Sequence, residues 1–185
     1  MKSFPIKKHI AFLLIFAQII THSCLSEHNE TKNILKNFIG KQSKIPVTVV
    51  PQNFGYNQSS NDYLNSNLKL IVYLDSSSCT ECRIRGLLNW HHFIDSIKNE
   101  KLKMVFVFNS DNIVYIKKIL AIYEFKLPYF IDFENEFKKN NFLPEDPFYH
   151  TFLVNHDSVL IAGNPLFNPK LKELYIDQID KCTKE

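Results

Sequence analysis

A seven-residue run, Leu68-Lys-Leu-Ile-Val-Tyr-Leu74, passes directly into Asp75-Ser-Ser-Ser-Cys79-Thr-Glu-Cys82-Arg83. The run is nearly continuous in apolar character, the pattern of a strand buried on both faces and so of a sheet with helices on either side. Helix-like spacing follows at Ile84, Leu87, Leu88, Ile94 and Ile97. A buried strand thus delivers two cysteines, two residues apart, to the first turn of a helix.

The same alternation continues downstream. Met104-Val-Phe-Val-Phe108 reads as a second buried strand, and Ile113, Ile116, Ile119, Leu120 and Tyr123 as another helix face. Pro128 to Asp132 is a short strand, and Glu134 to Asn140 has room for one or two helical turns. Thr151 to Asn155 and Val159 to Gly163 form a hairpin through His156-Asp-Ser158, and Pro165 and Pro169 introduce a closing helix over Lys170 to Asp180. Upstream, Asn33 to Gly40 has helical spacing with Gly40 as the stop, and Ile45 to Pro51 reads as an edge strand punctuated by prolines. Gln52 to Asn67, rich in Asn, Ser and Gln, reads as a loop or irregular hairpin. These elements predict one α/β domain over residues 34–185, a mixed sheet flanked by helices, with an N-terminal extension.

Residues 1–23 hold three lysines and no acid, so the formal charge of +3 belongs to them and the remainder balances at 19 basic against 19 acidic residues. No basic stripe interleaved with aromatics remains to displace counterions from phosphates, which argues against a nucleic-acid partner. Lys2, Lys7, Lys8 and His9 precede the apolar stretch Ile10 to Ile20, the layout of a secretory signal. That stretch is 11 residues long, short of the roughly 20 a spanning helix needs. Cys24 follows Thr21-His-Ser in the manner of a lipoprotein signal, although Thr21 stands where such signals usually carry Leu. Export with acylation of Cys24 is the expectation, residues 24–33 then serving as a tether; the alternative is a plain exported chain with an incidental cysteine.

The thiolate is the nucleophile in disulfide exchange, and a helix N-terminus lowers a thiol's pKa through its unpaired N–H groups. Cys79 fits the attacking position and Cys82, one turn further in, the resolving one. Arg83 adds positive potential to Cys79 while Glu81 opposes it. Zinc needs a second ligand pair, and neither the solitary Cys182 nor the adjacent His91 and His92 supplies one. A static disulfide closing a two-residue loop contributes little stability. Redox chemistry is therefore favoured over both, with no metal and no cofactor expected.

In order, Tyr73-Leu-Asp-Ser-Ser-Ser-Cys-Thr-Glu-Cys-Arg, Pro128-Tyr-Phe-Ile-Asp, Tyr149-His-Thr-Phe-Leu-Val and Val159-Leu-Ile-Ala-Gly-Asn-Pro resemble thioredoxin-like lipoproteins of Bacteroidetes, related to the TlpA and redoxin group. The resemblance spans about residues 33 to 180. It implies a thioredoxin fold and an exported thiol-disulfide oxidoreductase acting through the Cys79 and Cys82 pair. Its partners would be disulfide-containing exported proteins and an envelope thiol reductase, with Cys24 holding it to a membrane at the periplasmic or outer face. Three supporting positions differ from thioredoxins. Tyr149, or His150 in a register shifted by one, stands at the cis-proline; Tyr73 stands at the buried acid; and Ser78 precedes Cys79 where an aromatic is common. His150 has two readings, an imidazole against the cysteines that stabilises the thiolate and passes protons, or a partly exposed loop residue. The departures also keep open a non-catalytic binding module of the same fold, anchored in the envelope. A peroxidase is disfavoured: Ser76 fills the hydroxyl place of that pattern, but Val72 stands at its proline. Trp90, Phe106, Phe108, Phe148 and Phe152 read as core, His91 and His92 as helix surface, and Cys182 as a thiol at a frayed end.

Overall fold

The structure is a computed structural model, and it describes residues 31–46, 48–52, 59–75, 86–97 and 99–184. The chain divides into two units, Met1–Asn37 and Phe38–Glu185. In the first, residues 31–37 are helical. All that follows concerns the second.

Six strands make one mixed sheet: β1 Val50–Gln52, β2 Leu68–Leu74, β3 Lys103–Asn109, β4 Tyr129–Asp132, β5 Thr151–Asn155 and β6 Ser158–Ala162. Their order is β1-β4-β3-β2-β5-β6. The helices are α1 Ser60–Leu64, α2 Leu88–Ile97, α3 Ile113–Ile122, α4 Glu136–Asn141 and α5 Pro169–Lys184. β2, β3 and β4 run parallel, joined through α2 and α3, while β1, β5 and β6 pair antiparallel. Every residue of β2 is buried, as the unbroken apolar run requires of a central strand.

Residues alternate between the two faces of the sheet. On one, Leu70, Val72, Leu74, Phe106, Phe108 and Leu153 meet Trp90 and Phe93 of α2, Ile116 and Leu120 of α3, and Tyr175 and Ile179 of α5. On the other, Tyr73 stacks on Phe137 with ring centroids 5.3 Å apart, and Phe152 lies between Phe137 at 6.4 Å and Phe38 at 5.1 Å. The abundant phenylalanines therefore sort by strand register into two separate aromatic cores.

One exception in β2 has its own explanation. Lys69 is 3% exposed, yet its ammonium donates to the Leu64 and Ser66 carbonyls at 3.2 and 2.7 Å and to Asp157 Oδ1 at 3.3 Å. Three acceptors satisfy its three protons, which makes a buried lysine tolerable. The same contacts tie the loop before β2 to the β5–β6 turn. That turn is His156-Asp157, both with positive φ (45° and 64°), the conformation a two-residue hairpin loop needs to match strand twist.

Both sheet edges are managed. β1 carries Pro51 at one edge. Beyond β6, Gly40 N–H donates to Val159 O at 2.8 Å, Val159 N–H to Lys41 O at 2.9 Å and Ser43 N–H to Asp157 O at 2.7 Å, so residues 40–43 line the other. Gly40, the expected helix stop, adopts φ +80°, open to glycine at no steric cost.

Three expectations change in detail. The strand expected over Ile45 to Pro51 is three residues, Val50–Gln52. The expected loop before β2 contains α1, which Ser59 and Asp62 start with a reciprocal capping box. Cys182 belongs to α5, partly buried and packed against the core, not to a frayed end.

Candidate functional site

The parallel strands β2 and β3 and the antiparallel β5 diverge in connection at the C-terminal end of β2, where the chain leaves for α2 on one side and returns through β5 on the other. Such switch points open a crevice in α/β sheets. Here it is a cavity of about 400 Å³. Leu74 and Gly86 both line it, so the segment between them starts and ends at the cavity wall. That segment contains Cys79, Cys82 and Arg83, which lie outside the described residues, as does Cys24.

The opposite wall comes from the 3-10 turn Pro147–His150 and from a second one, Pro165–Phe167. Asp146 and Asn164 initiate these turns by accepting from Phe148 N–H at 2.9 Å and Leu166 N–H at 3.0 Å, each with proline at the next position. Phe148, expected in the core, is half-buried and lines the cavity, while Trp90 lines it from the core side at 2% exposure. Phe106, Phe108 and Phe152 are core as expected. His91 and His92 lie on α2, half-buried and exposed respectively.

β5 begins at Thr151, opposite Val72, so His150 is the residue immediately before the strand. It is 1% exposed, which excludes the exposed-loop reading. Its Nε2 lies 2.8 Å from the Pro144 carbonyl. A carbonyl only accepts, so Nε2 carries a proton, and Nδ1 is the nitrogen whose proton can change. The imidazole and the Tyr73 ring meet edge to face, with centroids 5.5 Å apart.

Tyr73 is no proton acceptor here. Burial, and then the Asp75 and Asp132 carboxylates, push its phenol far above the usual tyrosine range. It stays neutral and donates to Asn135 Oδ1 at 2.6 Å. Asp75, 7% exposed at the end of β2, is paired with Lys138 of α4 at 3.0 Å, and Lys138 also approaches Glu145 at 3.8 Å. Sixty-three positions separate Asp75 from Lys138, and nothing in the local sequence around Lys138 marks it as other than a surface lysine.

α4 is held by an unusual cap. Asn135 adopts φ 58° and makes no side-chain cap bond; instead Asp132, at the end of β4, accepts from Glu136 N–H at 3.0 Å and Phe137 N–H at 2.9 Å. Burial pushes the Asp132 carboxyl up, outweighing the lowering by those two N–H bonds. With the folded value raised, this group's contribution to stability is complete below the ordinary carboxylate pKa of about 3.9 and is lost as pH rises through the folded value. The urea-midpoint difference between the natural protein and Asp132→Asn is therefore expected to narrow as pH rises from about 4. A difference that widens over that range would mean the N–H bonds win.

No family model matches the chain, and no curated protein sequence does. Solved structures do. A Chlorobium tepidum protein assigned as thiol:disulfide interchange protein DsbE superposes with a TM-score of 0.54 at 19% identity, covering 78% of this chain and 98% of that one. The fold is thioredoxin-like. A Bacteroides vulgatus protein assigned as a thiol-disulfide oxidoreductase matches the same thioredoxin-like architecture (TM-score 0.54, 14% identity, 75% of this chain, 91% of that one). PrxQ of Xylella fastidiosa does so too (0.52, 15%, 80% and 97%). In this thioredoxin-like sheet, β2 is the strand that precedes the cysteine segment in sequence and β5 is its antiparallel neighbour.

Proposed function

We propose that the protein is an exported thiol-disulfide oxidoreductase that works through Cys79 and Cys82 on disulfides of cell-envelope proteins. The observation that carries this reading is the crevice at the end of β2, whose wall includes both flanks, Leu74 and Gly86, of the segment bearing the two cysteines. The Cys79 thiolate attacks one sulfur of a substrate disulfide, forming a mixed disulfide and releasing the other sulfur as a thiolate, which takes up a proton. Cys82, deprotonated, then attacks the Cys79 sulfur, so that the Cys79–Cys82 disulfide forms and the second substrate thiolate leaves. Two electrons have passed to the substrate, and an envelope thiol reductase restores the pair.

The described surroundings support this exchange. His150 offers one nitrogen able to gain or lose a proton beside the end of β2. The fold shared with DsbE points the same way, as does the secretory layout of residues 1–20. Lipid attachment at Cys24 would hold the domain at the periplasmic or outer membrane face; palmitate incorporation should disappear in Cys24→Ser, and label persisting in that variant would refute it.

The direct test is insulin reduction with dithiothreitol as the electron source. The full chain is expected to shorten the lag before the insulin B chain precipitates, in proportion to its concentration. A lag no shorter than that given by an equal concentration of free cysteine would favour a non-catalytic binding module, the reading that Tyr73 in place of an acid keeps in play.

A further inference from the structure

On α3 the residues turned toward the sheet, Ile116, Ile119 and Leu120, are buried. Its outward positions are Val114, Tyr115, Lys117, Lys118, Ala121 and Ile122, all exposed. A surface helix of a globular domain normally turns a polar face to water. Here Val114 is 73% exposed, Ile122 65% and Tyr115 43%. α3 carries no carboxylate, and its only charges are the two lysines; the exposed acids Asp111 and Glu124 lie beyond its two ends.

The apolar and basic residues are interleaved. Lys118 follows Val114 by one helical turn and precedes Ile122 by one, so the three form a single stripe. From Val114 to Ile122 the stripe rises about 12 Å. Among the described residues neither Lys117 nor Lys118 forms an ion pair, which leaves both ammonium groups available to an outside anion. A single helix is convex, so this face offers no groove into which one side chain of a partner would fit.

We propose that the outward face of α3 is a docking surface for an anionic lipid bilayer. With the helix lying along the membrane plane, Val114 and Ile122 enter the boundary between headgroups and acyl chains, and Tyr115 sits there with its hydroxyl toward water. Lys117 and Lys118 lay their apolar stems alongside and reach the lipid phosphates with their ammonium groups. Charge selects this occupant over a second copy of the chain. In a symmetric pairing the lysines of one face would meet those of the other, with no carboxylate on α3 to offset them. A bilayer instead presents phosphate all along the stripe and yields to a convex helix. The inference is independent of the disulfide exchange proposed above; acylation at Cys24 would bring this face close to a membrane but is not required for it.

The test reads tryptophan quenching by brominated acyl chains in the full chain, with vesicles of phosphatidylcholine and of an equal mixture of phosphatidylcholine and phosphatidylglycerol. The natural Trp90, 2% exposed, gives a constant background. Tyr115→Trp is expected to be quenched in the mixed vesicles and not in phosphatidylcholine alone. Phe142→Trp, at an 86% exposed aromatic closing α4 on the opposite face of the sheet, should stay unquenched in both. The two variants share the apolar stretch Ile10 to Ile20, so a difference between them belongs to α3 and not to that stretch. Adding Lys117→Glu and Lys118→Glu to Tyr115→Trp should raise the lipid concentration for half-quenching at least about tenfold. Adding Val114→Ser and Ile122→Ser instead should raise it by a similar factor. Equal quenching at both positions, equal quenching in the two lipids, or none of Tyr115→Trp would overturn the proposal. A lipid-free dimer that Ile122→Ser dissolves would assign the face to a second copy instead, and photocrosslinks from position 115 to an envelope protein, without quenching, to an acidic protein partner.

Discussion

Cys79→Ser is expected to lower insulin reduction by on the order of a thousandfold or more, to the uncatalysed rate, because a serine hydroxyl stays protonated at neutral pH and cannot attack a disulfide sulfur. Cys82→Ser should behave differently. Its Cys79 still makes the first attack, but no resolving thiol follows, so mixed disulfides with exported proteins accumulate and are seen as bands that dithiothreitol collapses. The asymmetry is what assigns the roles. Equal activity in Cys79→Ser would rule out Cys79 as the nucleophile, and trapped adducts in Cys79→Ser with none in Cys82→Ser would reverse the order of attack.

Phe152→Ala should cost about 3–5 kcal/mol, read as a fall in the urea midpoint at unchanged slope. Phe152 is 0% exposed and sits between Phe38 and Phe137 on the face of the sheet that carries Tyr73 and His150. Its truncation leaves a void that two flanking rings cannot both fill. The effect also reaches the site. Phe137 stacks on Tyr73, and the next residue, Lys138, pairs with Asp75, so loosening α4 should slow disulfide exchange even where the domain remains folded. Phe152→Leu, which keeps most of the volume, should cost less than half as much. A change below about 1 kcal/mol for the alanine variant would mean that this aromatic layer is not closely packed.

The central architecture was legible because β2, β3 and the β5–β6 hairpin are specified by local patterns: unbroken apolar runs for strands buried on both faces, and two further apolar runs joined by the short polar stretch His156-Asp-Ser158, of which Ser158 proves to be the first residue of β6. α1 was missed because its five residues contain only one large apolar pair, Tyr63 and Leu64, so no periodicity shows; the capping pattern Ser59 to Asp62 was the available signal. β1 is shorter than expected because β4 offers only Tyr129 to Ile131 as partners, and strand length follows the partner as well as propensity. Phe148 looked like core by composition, and only the close approach at Gly163 turns it into a cavity wall.

At the site, the cysteines lie outside the described residues, and what the structure adds is the surroundings of the strand that precedes them. The cysteine spacing and the strand before it point to the end of β2, where the crevice lies. His150 was identified as a candidate, but its burial follows from tertiary packing of the Pro147–His150 turn beneath Tyr73, which no local pattern reports. The Asp75 to Lys138 pair joins β2 to α4 across the fold, and a lysine in a short polar helix reads as solvated until its partner is seen.

The redox equilibrium of Cys79 and Cys82, followed by alkylation and mass measurement across a series of reduced-to-oxidised glutathione ratios, decides whether the two act as one redox pair. A single two-electron transition is expected, in which both cysteines lose reactivity together and which is absent in Cys79→Ser and in Cys82→Ser. A pair that stays reduced as separate thiols at every ratio, or that forms mixed disulfides with glutathione without ever joining to each other, would contradict it.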